Sequence, residues 1–486
     1  MPRRRRPLPL SARALAAALS LGLAGTVGCA GGAGPTTPNR TPLATKWFDR
    51  AQASYKAGDF EDARDAAKSA LQAAPQDPEI KLLNARLALA RLDFDEALKL
   101  TEGMQATETH GIRGRAYWYR GDLEQAADEL EAMLSDPNVK DPWARDVAAL
   151  ARRGGGRHPF QIEGGLVGSV EMPVAGPALV VPCELEGEQV LAMVATGAGE
   201  VVLDSNSRKE PAWVNLRFDR VEVKDVPALT QDLSSLSRQM GAPIKLLIGM
   251  NLLRHTHATF DRRGDQFIVR RDEPSAPPAA TRLPLWYVRG GGMLVRAGIS
   301  ATTADKATLL VDTSSMFPIG LDDSAWKRAG IDPAKLTAAA GAPNVKEGVL
   351  PMVKFAGFDL PQIPAIEGQP VTDLKAATDV DLGGILGAGL LSLFRVTFGD
   401  GGRFIWLEAD PALLAPPGRA EAPAPSPMEQ PSLELPGKPQ PPALGTPSTP
   451  SKPGKSDAKP GKGAGKTDAL KSEPSKPAAK NPGAQP

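Results

Sequence analysis

Two periodicities divide the chain. Between residues 43 and 151 apolar positions recur at intervals of three and four, the spacing of one helix face. Ala44, Trp47, Phe48, Ala51 and Tyr55 form the first such stripe. Gly58-Asp59-Phe60 then makes a tight turn into a second helix that ends near Ala70-Leu71 and Pro75. From Phe160 the period falls to two and the apolar residues become Val-rich, the mark of half-buried strands. Val190–Val194 and Leu309–Val311 are apolar runs that read as strands leading into turns. Leu185 and Val190 flank a hairpin closing on Gly187, and Gly290-Gly291-Gly292 turns a second. Asn251–Asp261 is read as a further strand, with His255 and His257 on one face. After Pro411 neither period survives.

The helical part repeats. Gly58-Asp59-Phe60-Glu61-Asp62-Ala63 returns as Leu92-Asp93-Phe94-Asp95-Glu96-Ala97 and as Gly121-Asp122-Leu123-Glu124-Gln125-Ala126. The interval from Ala63 to Ala97 is 34 residues, and from Ala97 to Ala126 it is 29, so one helix or loop of the later unit is shortened. A period of about 34 residues is that of tetratricopeptide repeats, and the stretch 43–151 resembles them. Each helix pair leaves an apolar face bare that only stacking buries. Trp143–Ala151 is expected to cap the stack. The stack is either a shallow groove for a peptide or protein partner, or a platform for assembly. Arg152–Arg157 reads as a solvated linker, spanning 152–159 with the residues after it.

The strand-rich part also repeats. Leu309-Leu310-Val311-Asp312-Thr313-Ser314 is followed by Gly384-Ile385-Leu386-Gly387; earlier, Val190–Val194 leads into Ala195-Thr196-Gly197-Ala198, followed by Leu246-Leu247-Ile248-Gly249. An apolar strand ending in an acid, then Thr, then later two apolar residues and Gly, resembles the pepsin and retropepsin type of aspartic peptidase. The resemblance implies an all-β double barrel with lobes at 160–275 and 276–411. It also implies a catalytic turn at Asp312, Thr313 and Ser314. In the first copy Ala195 stands where that family has its other catalytic acid, although Thr196 and Gly197 remain. From Ala195 to Gly249 is 54 residues; from Asp312 to Gly387 is 75. The deficit falls where the second lobe has a helix near Leu321–Gly330 and Val345–Val353, read as the hairpin flap of this family.

Aspartic proteolysis needs two carboxylates sharing one proton, because like charges about 3 Å apart cannot both ionise. With one acid gone, the general acid–base contribution of about 10²–10⁴ in rate goes too. Two functions are therefore in view. One is a degenerate, non-catalytic fold used for binding or scaffolding. The other is an active aspartic endopeptidase in which Asp312 is paired through dimerisation. Asp204 is too far along the chain to fill the vacancy.

Composition adds a location. Arg3–Arg6 precede an Ala/Leu run from Leu10 to Leu23, too short to span a bilayer, which ends in Val27-Gly28-Cys29. This resembles a bacterial lipobox. The resemblance implies removal of residues 1–28, lipid on Cys29, a tether over 29–42 and anchoring in the cell envelope, at the outer membrane facing the periplasm. Residues 412–486, rich in Pro, Lys and Ala, are expected to stay disordered. The net charge is +1, so nothing calls for a nucleic-acid partner. Cys183 has no intrachain disulfide partner once Cys29 is lipidated, and reads as a buried hydrophobe. His255 and His257 lack a third ligand, and no metal or cofactor is expected.

Overall fold

The computed structural model describes residues 40–339, 342–367, 374–375 and 378–409. The lipobox with Cys29, most of the tether, and the tail from 410 lie outside the described residues.

Seven helices come first: α1 (Pro42–Lys56), α2 (Phe60–Ala73), α3 (Pro78–Ala90), α4 (Phe94–Leu100), α5 (Thr107–Arg120), α6 (Leu123–Leu134) and α7 (Pro142–Arg152). Three of them start in the same way. Thr41, Asp77 and Asp141 each accept a backbone N–H of the first turn, and each is followed by Pro at the first helical position. The short 29-residue interval is explained by α4, which has 7 residues where α2 has 14. Close helix contact is made at Gly114 of α5, where a Cβ would lie 2.7 Å from the Leu130 side chain.

The strands are β1 (Gln161–Gly164), β2 (Val167–Glu171), β3 (Val180–Leu185), β4 (Glu188–Val194), β5 (Val201–Asp204), β6 (Ala212–Phe218), β7 (Val221–Gln231), β8 (Ile244–Ile248), β9 (Thr259–Asp261) and β10 (Gln266–Arg270) in the first lobe. The second lobe has β11 (Thr281–Pro284), β12 (Trp286–Val288), β13 (Gly292–Gly298), β14 (Lys306–Asp312), β15 (Ile319–Leu321), β16 (Thr337–Ala339), β17 (Ala342–Phe355), β18 (Phe358–Ile366), β19 (Leu382–Gly387), β20 (Phe394–Gly399) and β21 (Phe404–Ala409). Short helices α8 (Ser234–Met240), α9 (Met250–His255), α10 (Asp323–Arg328) and α11 (Ala388–Leu391) connect them.

The lobes are two closed rings with the same pairing. The first runs β4-β3-β6-β7-β5-β8 and back to β4. The second runs β14-β13-β17-β18-β15-β19 and back to β14. In each ring the strand that ends at the turn lies parallel to the strand that ends in Gly: Val194 pairs with Ile248, and Asp312 with Gly387. A six-stranded sheet, β11-β21-β20-β9-β10-β2, takes strands from both lobes and joins them.

Several expectations need correction. Val345–Val353 is no hairpin: it is the middle of one long strand, β17, paired with β18 across the Ala356-Gly357 turn. A separate, short hairpin joins β16 to β17. The first lobe has no strand between β5 and β6, and β6 has 7 residues where β17 has 14, which accounts for most of the length deficit. Asn251–His255 is helical, because four to six residues are too few to display a 3.6 period. His255 ends that helix, stacked on Phe160 at 4.4 Å, and His257 sits in a turn at φ 42°, so the pair shares no strand face. The arginines after α7 are engaged rather than free. Arg153 donates to the Pro211 carbonyl at 2.8 Å, and Arg157 pairs with Asp225.

The helical stack is packed on both lobes. Phe60 stacks on Trp286 with centroids 5.3 Å apart, Thr308 donates to the Ala57 carbonyl at 3.0 Å, and Arg296 pairs with Asp59. Arg91 donates to the carbonyls of Leu285 and Arg403 at 2.6 and 2.7 Å. On the first lobe, Trp213 donates to the Leu150 carbonyl at 3.1 Å, and Arg254 lies buried between Phe94 and Tyr119.

Candidate functional site at the interlobe junction

Residues 195–198 and 312–315 meet face to face. Thr196 Oγ1 donates to the Val311 carbonyl at 2.8 Å, and Thr313 Oγ1 donates to the Val194 carbonyl at 2.7 Å. Each hydroxyl also accepts the other threonine's N–H at 3.2 Å. The two turns are built alike. Ala198 N–H donates to the Ala195 carbonyl at 3.1 Å, and Ser315 N–H to the Asp312 carbonyl at 3.0 Å. Met250 and Ala388 then donate to Ala198 and Ser315 at 2.9 and 2.7 Å. These contacts explain the later glycines. A Cβ at Gly249 would fall 2.0 Å from the Glu200 carbonyl oxygen, and one at Gly387 the same 2.0 Å from that of Phe317.

Asp312 is only 4 % exposed and Ala195 3 %. One Asp312 oxygen accepts the Ser314 N–H at 2.9 Å, and the Ser314 hydroxyl and Gly197 N–H are also hydrogen-bonded to the carboxylate. Burial pushes this carboxyl above its ordinary range, and those three donors oppose the shift. Gly197 has to be Gly, because a Cβ there would approach Asp312 Cγ to 2.8 Å. The partners of Asp312 are thus neutral donors. Opposite it, across the pseudo-twofold, is the Ala195 methyl. Asp204 lies elsewhere, capping the backbone at Asn206 and Leu233.

The sheet face that carries Asp312 is covered. Residues alternate along β14, so Leu310 shares a face with Asp312, whereas Leu309 and Val311 point into the barrel core. Leu310 and Ile385 belong to one apolar cluster with Phe48, Phe60, Leu83 and Leu87 of the helical stack. The matching face of the first lobe, with Met193, Ala195 and Leu247, packs on Leu233, Leu236 of α8 and on Met316.

A residue without a sequence signal joins the helices to the first-lobe turn. Glu200 is 5 % exposed; it accepts the Trp118 indole N–H at 3.3 Å and is also hydrogen-bonded by Trp143 and Tyr119. Burial pushes its carboxyl up against those donors. An acid entering the apolar strand at Val201-Val202-Leu203 was the available clue. Cys183 is free and buried, its thiol pushed up to about 12 by burial.

Residues 54–116 match the Tetratricopeptide repeat family model. Among solved structures, a retropepsin-like aspartic protease from Rickettsia conorii is similar at 20 % identity, covering 26 % of this chain and 90 % of that one, TM-score 0.21. The aspartic proteinase from Irpex lacteus is similar at 11 % identity, covering 50 % of this chain and 97 % of that one, TM-score 0.36. The Arabidopsis OM64 TPR domain is similar at 16 % identity, covering 23 % and 95 %, TM-score 0.21. No curated protein matches the chain. The fold is a tetratricopeptide-like helical stack followed by a two-lobed β domain built of two closed rings.

Proposed function

We propose that this chain is a lipid-anchored envelope protein in which the peptidase-like lobes and the helical repeats bind or scaffold a peptide or protein partner without hydrolysing it. The observation that carries this reading is the junction itself: Asp312, buried among neutral donors, faces Ala195. A water held for attack needs a base on one side and an acid on the other. A methyl supplies neither. The burial of Asp312, only 4 % exposed, supports the same reading. The dimeric endopeptidase is less well supported, since the first lobe already fills the place beside Asp312 that a second copy would need. The anchor rests on the Val27-Gly28-Cys29 pattern.

The test is incubation of the full-length protein with an unstructured protein substrate at pH 4 and pH 7. No cleavage above that of Asp312→Ala is expected. Pepstatin-sensitive cleavage abolished by that substitution overturns the non-catalytic reading. In the same cells, Cys29→Ala is expected to move the protein out of the membrane fraction; unchanged sedimentation removes the anchor.

A further inference from the structure

Where the helical stack and the two lobes meet there is a cavity of about 250 Å³. Its walls come from all three parts: Arg115, Tyr119 and Trp143 from α5 and α7, the Gly197–Glu200 turn of the first lobe, and Val288–Gly292 with Leu310 of the second. Exposed Pro142 and half-buried Thr230 also line it.

Arg289 stands out among these residues. It occupies the β12–β13 turn at φ 48°, a left-handed conformation that disfavours any side chain, beside Gly290 and Gly291, which would adopt it freely. Its side chain is half-buried, burial pushes its guanidinium below the ordinary range, and among the described residues it makes no hydrogen bond or ion pair. Every acid near it is already engaged: Asp141 holds Arg115 at 2.9 Å and caps α7, and Glu108 pairs with Arg86. Arg115 adds repulsion, while Asp141 and Glu108 supply attraction. A strained backbone and a half-buried cation without a protein partner thus coincide at one residue.

The other walls describe the rest of a ligand. Tyr119, Trp143, Val288 and Leu310 are apolar or aromatic, and the turns at 197–199 and 291–292 line the cavity closely packed on one another. Asp146, also in the wall, has a carboxyl with no hydrogen bond among the described residues. A doubly charged phosphate would meet the carboxyls of Asp146 and Glu200, whereas a single carboxylate on an amphipathic body meets a fork of guanidinium donors and apolar walls. We propose that this cavity binds a small carboxylate ligand, with Arg289 holding the carboxylate and the glycine turns facing its backbone or body. The end of a peptide chain fits these walls; a free small acid offers the same head group. The proposal deepens the binding half of the function proposed above, and it is independent of whether a peptide bond is cut.

The test uses the full chain and three probes: a pool of N-acetylated tripeptides with free C-termini, the same pool as C-terminal amides, and N-acetylalanine. Binding is read by saturation-transfer NMR and equilibrium dialysis. The free-acid pool is expected to bind at least tenfold more tightly than the amide pool. N-acetylalanine binding as tightly as the acid pool assigns the site to free acids instead of peptide ends. Arg289→Gly relieves the backbone and removes the unmatched charge, so it is expected to raise the urea midpoint while reducing acid binding at least tenfold. Equal binding of acids and amides, no binding of any probe, or full binding by Arg289→Gly overturns the proposal. The hydrolysis assay is scored separately, so failure of either reading is visible without the other.

Discussion

Thr313→Val keeps the shape of the side chain and removes its hydroxyl. In the junction that hydroxyl donates to the Val194 carbonyl at 2.7 Å and accepts the Thr196 N–H at 3.2 Å, with both threonines fully buried. The substitution leaves one carbonyl and one N–H without partners. Each unsatisfied buried group costs about 1–3 kcal/mol, so the variant should lose about 2–6 kcal/mol. That is a large part of the 5–15 kcal/mol typical of a folded domain. Thr196→Val removes the two symmetry-related bonds, to Val311 and from Thr313 N–H, and should cost a similar amount. Both changes open the same seam, so the double variant should cost less than the two singles together, by about 0.5–3 kcal/mol. Urea titration gives the totals. Hydrogen exchange at the Thr196 and Thr313 amides reports the seam itself, with both expected to lose protection in either single variant. Losses under about 0.5 kcal/mol, or full additivity with both amides still protected, would refute the view that these turns pin the lobes together.

Two further outcomes follow from the packing. Trp286→Ala removes the indole between Phe60 and Arg91 and should cost about 3–5 kcal/mol, with early proteolytic release of the helical stack; a loss under 1 kcal/mol would show that the stack is held elsewhere. The Glu200 carboxyl is raised above its ordinary 4.5, so its protonated form favours the folded state. That contribution is complete below about 4.5 and is lost as pH rises through the folded-state value. Glu200→Gln lacks this loss, so its urea midpoint should rise relative to wild type as pH increases from 4 to 8; the opposite trend refutes a raised carboxyl.

How much could be read from residues alone depends on how far apart the interacting groups are. The order strand, turn, apolar pair, glycine is local, and its reason is local too: the carbonyls of Glu200 and Phe317 sit where a Cβ at Gly249 or Gly387 would go. The repeated turns at Asp59, Asp93 and Asp122, the Gly187 hairpin and the helix α10 were legible for the same reason. What covers Asp312 was not. Leu309 and Leu310 are the same residue type, yet one enters the barrel and the other meets the helices, and a continuous apolar run says only that both faces are buried. Glu200 and Arg289 gain their meaning from α5 and α7, far away in sequence. The flap was misplaced because β17 is twice as long as β6, so an unbroken strand offered enough residues for a hairpin.

The claim most exposed to measurement is that no second acid touches Asp312. Carboxyl-carbon NMR of aspartate-labelled protein, with the resonance assigned by its loss in Asp312→Asn, follows that one group from pH 3 to pH 9. A single one-proton transition displaced above 3.8 is expected. Two coupled steps, or a transition below 3.8, would place another carboxylate or a cation beside it and contradict the account.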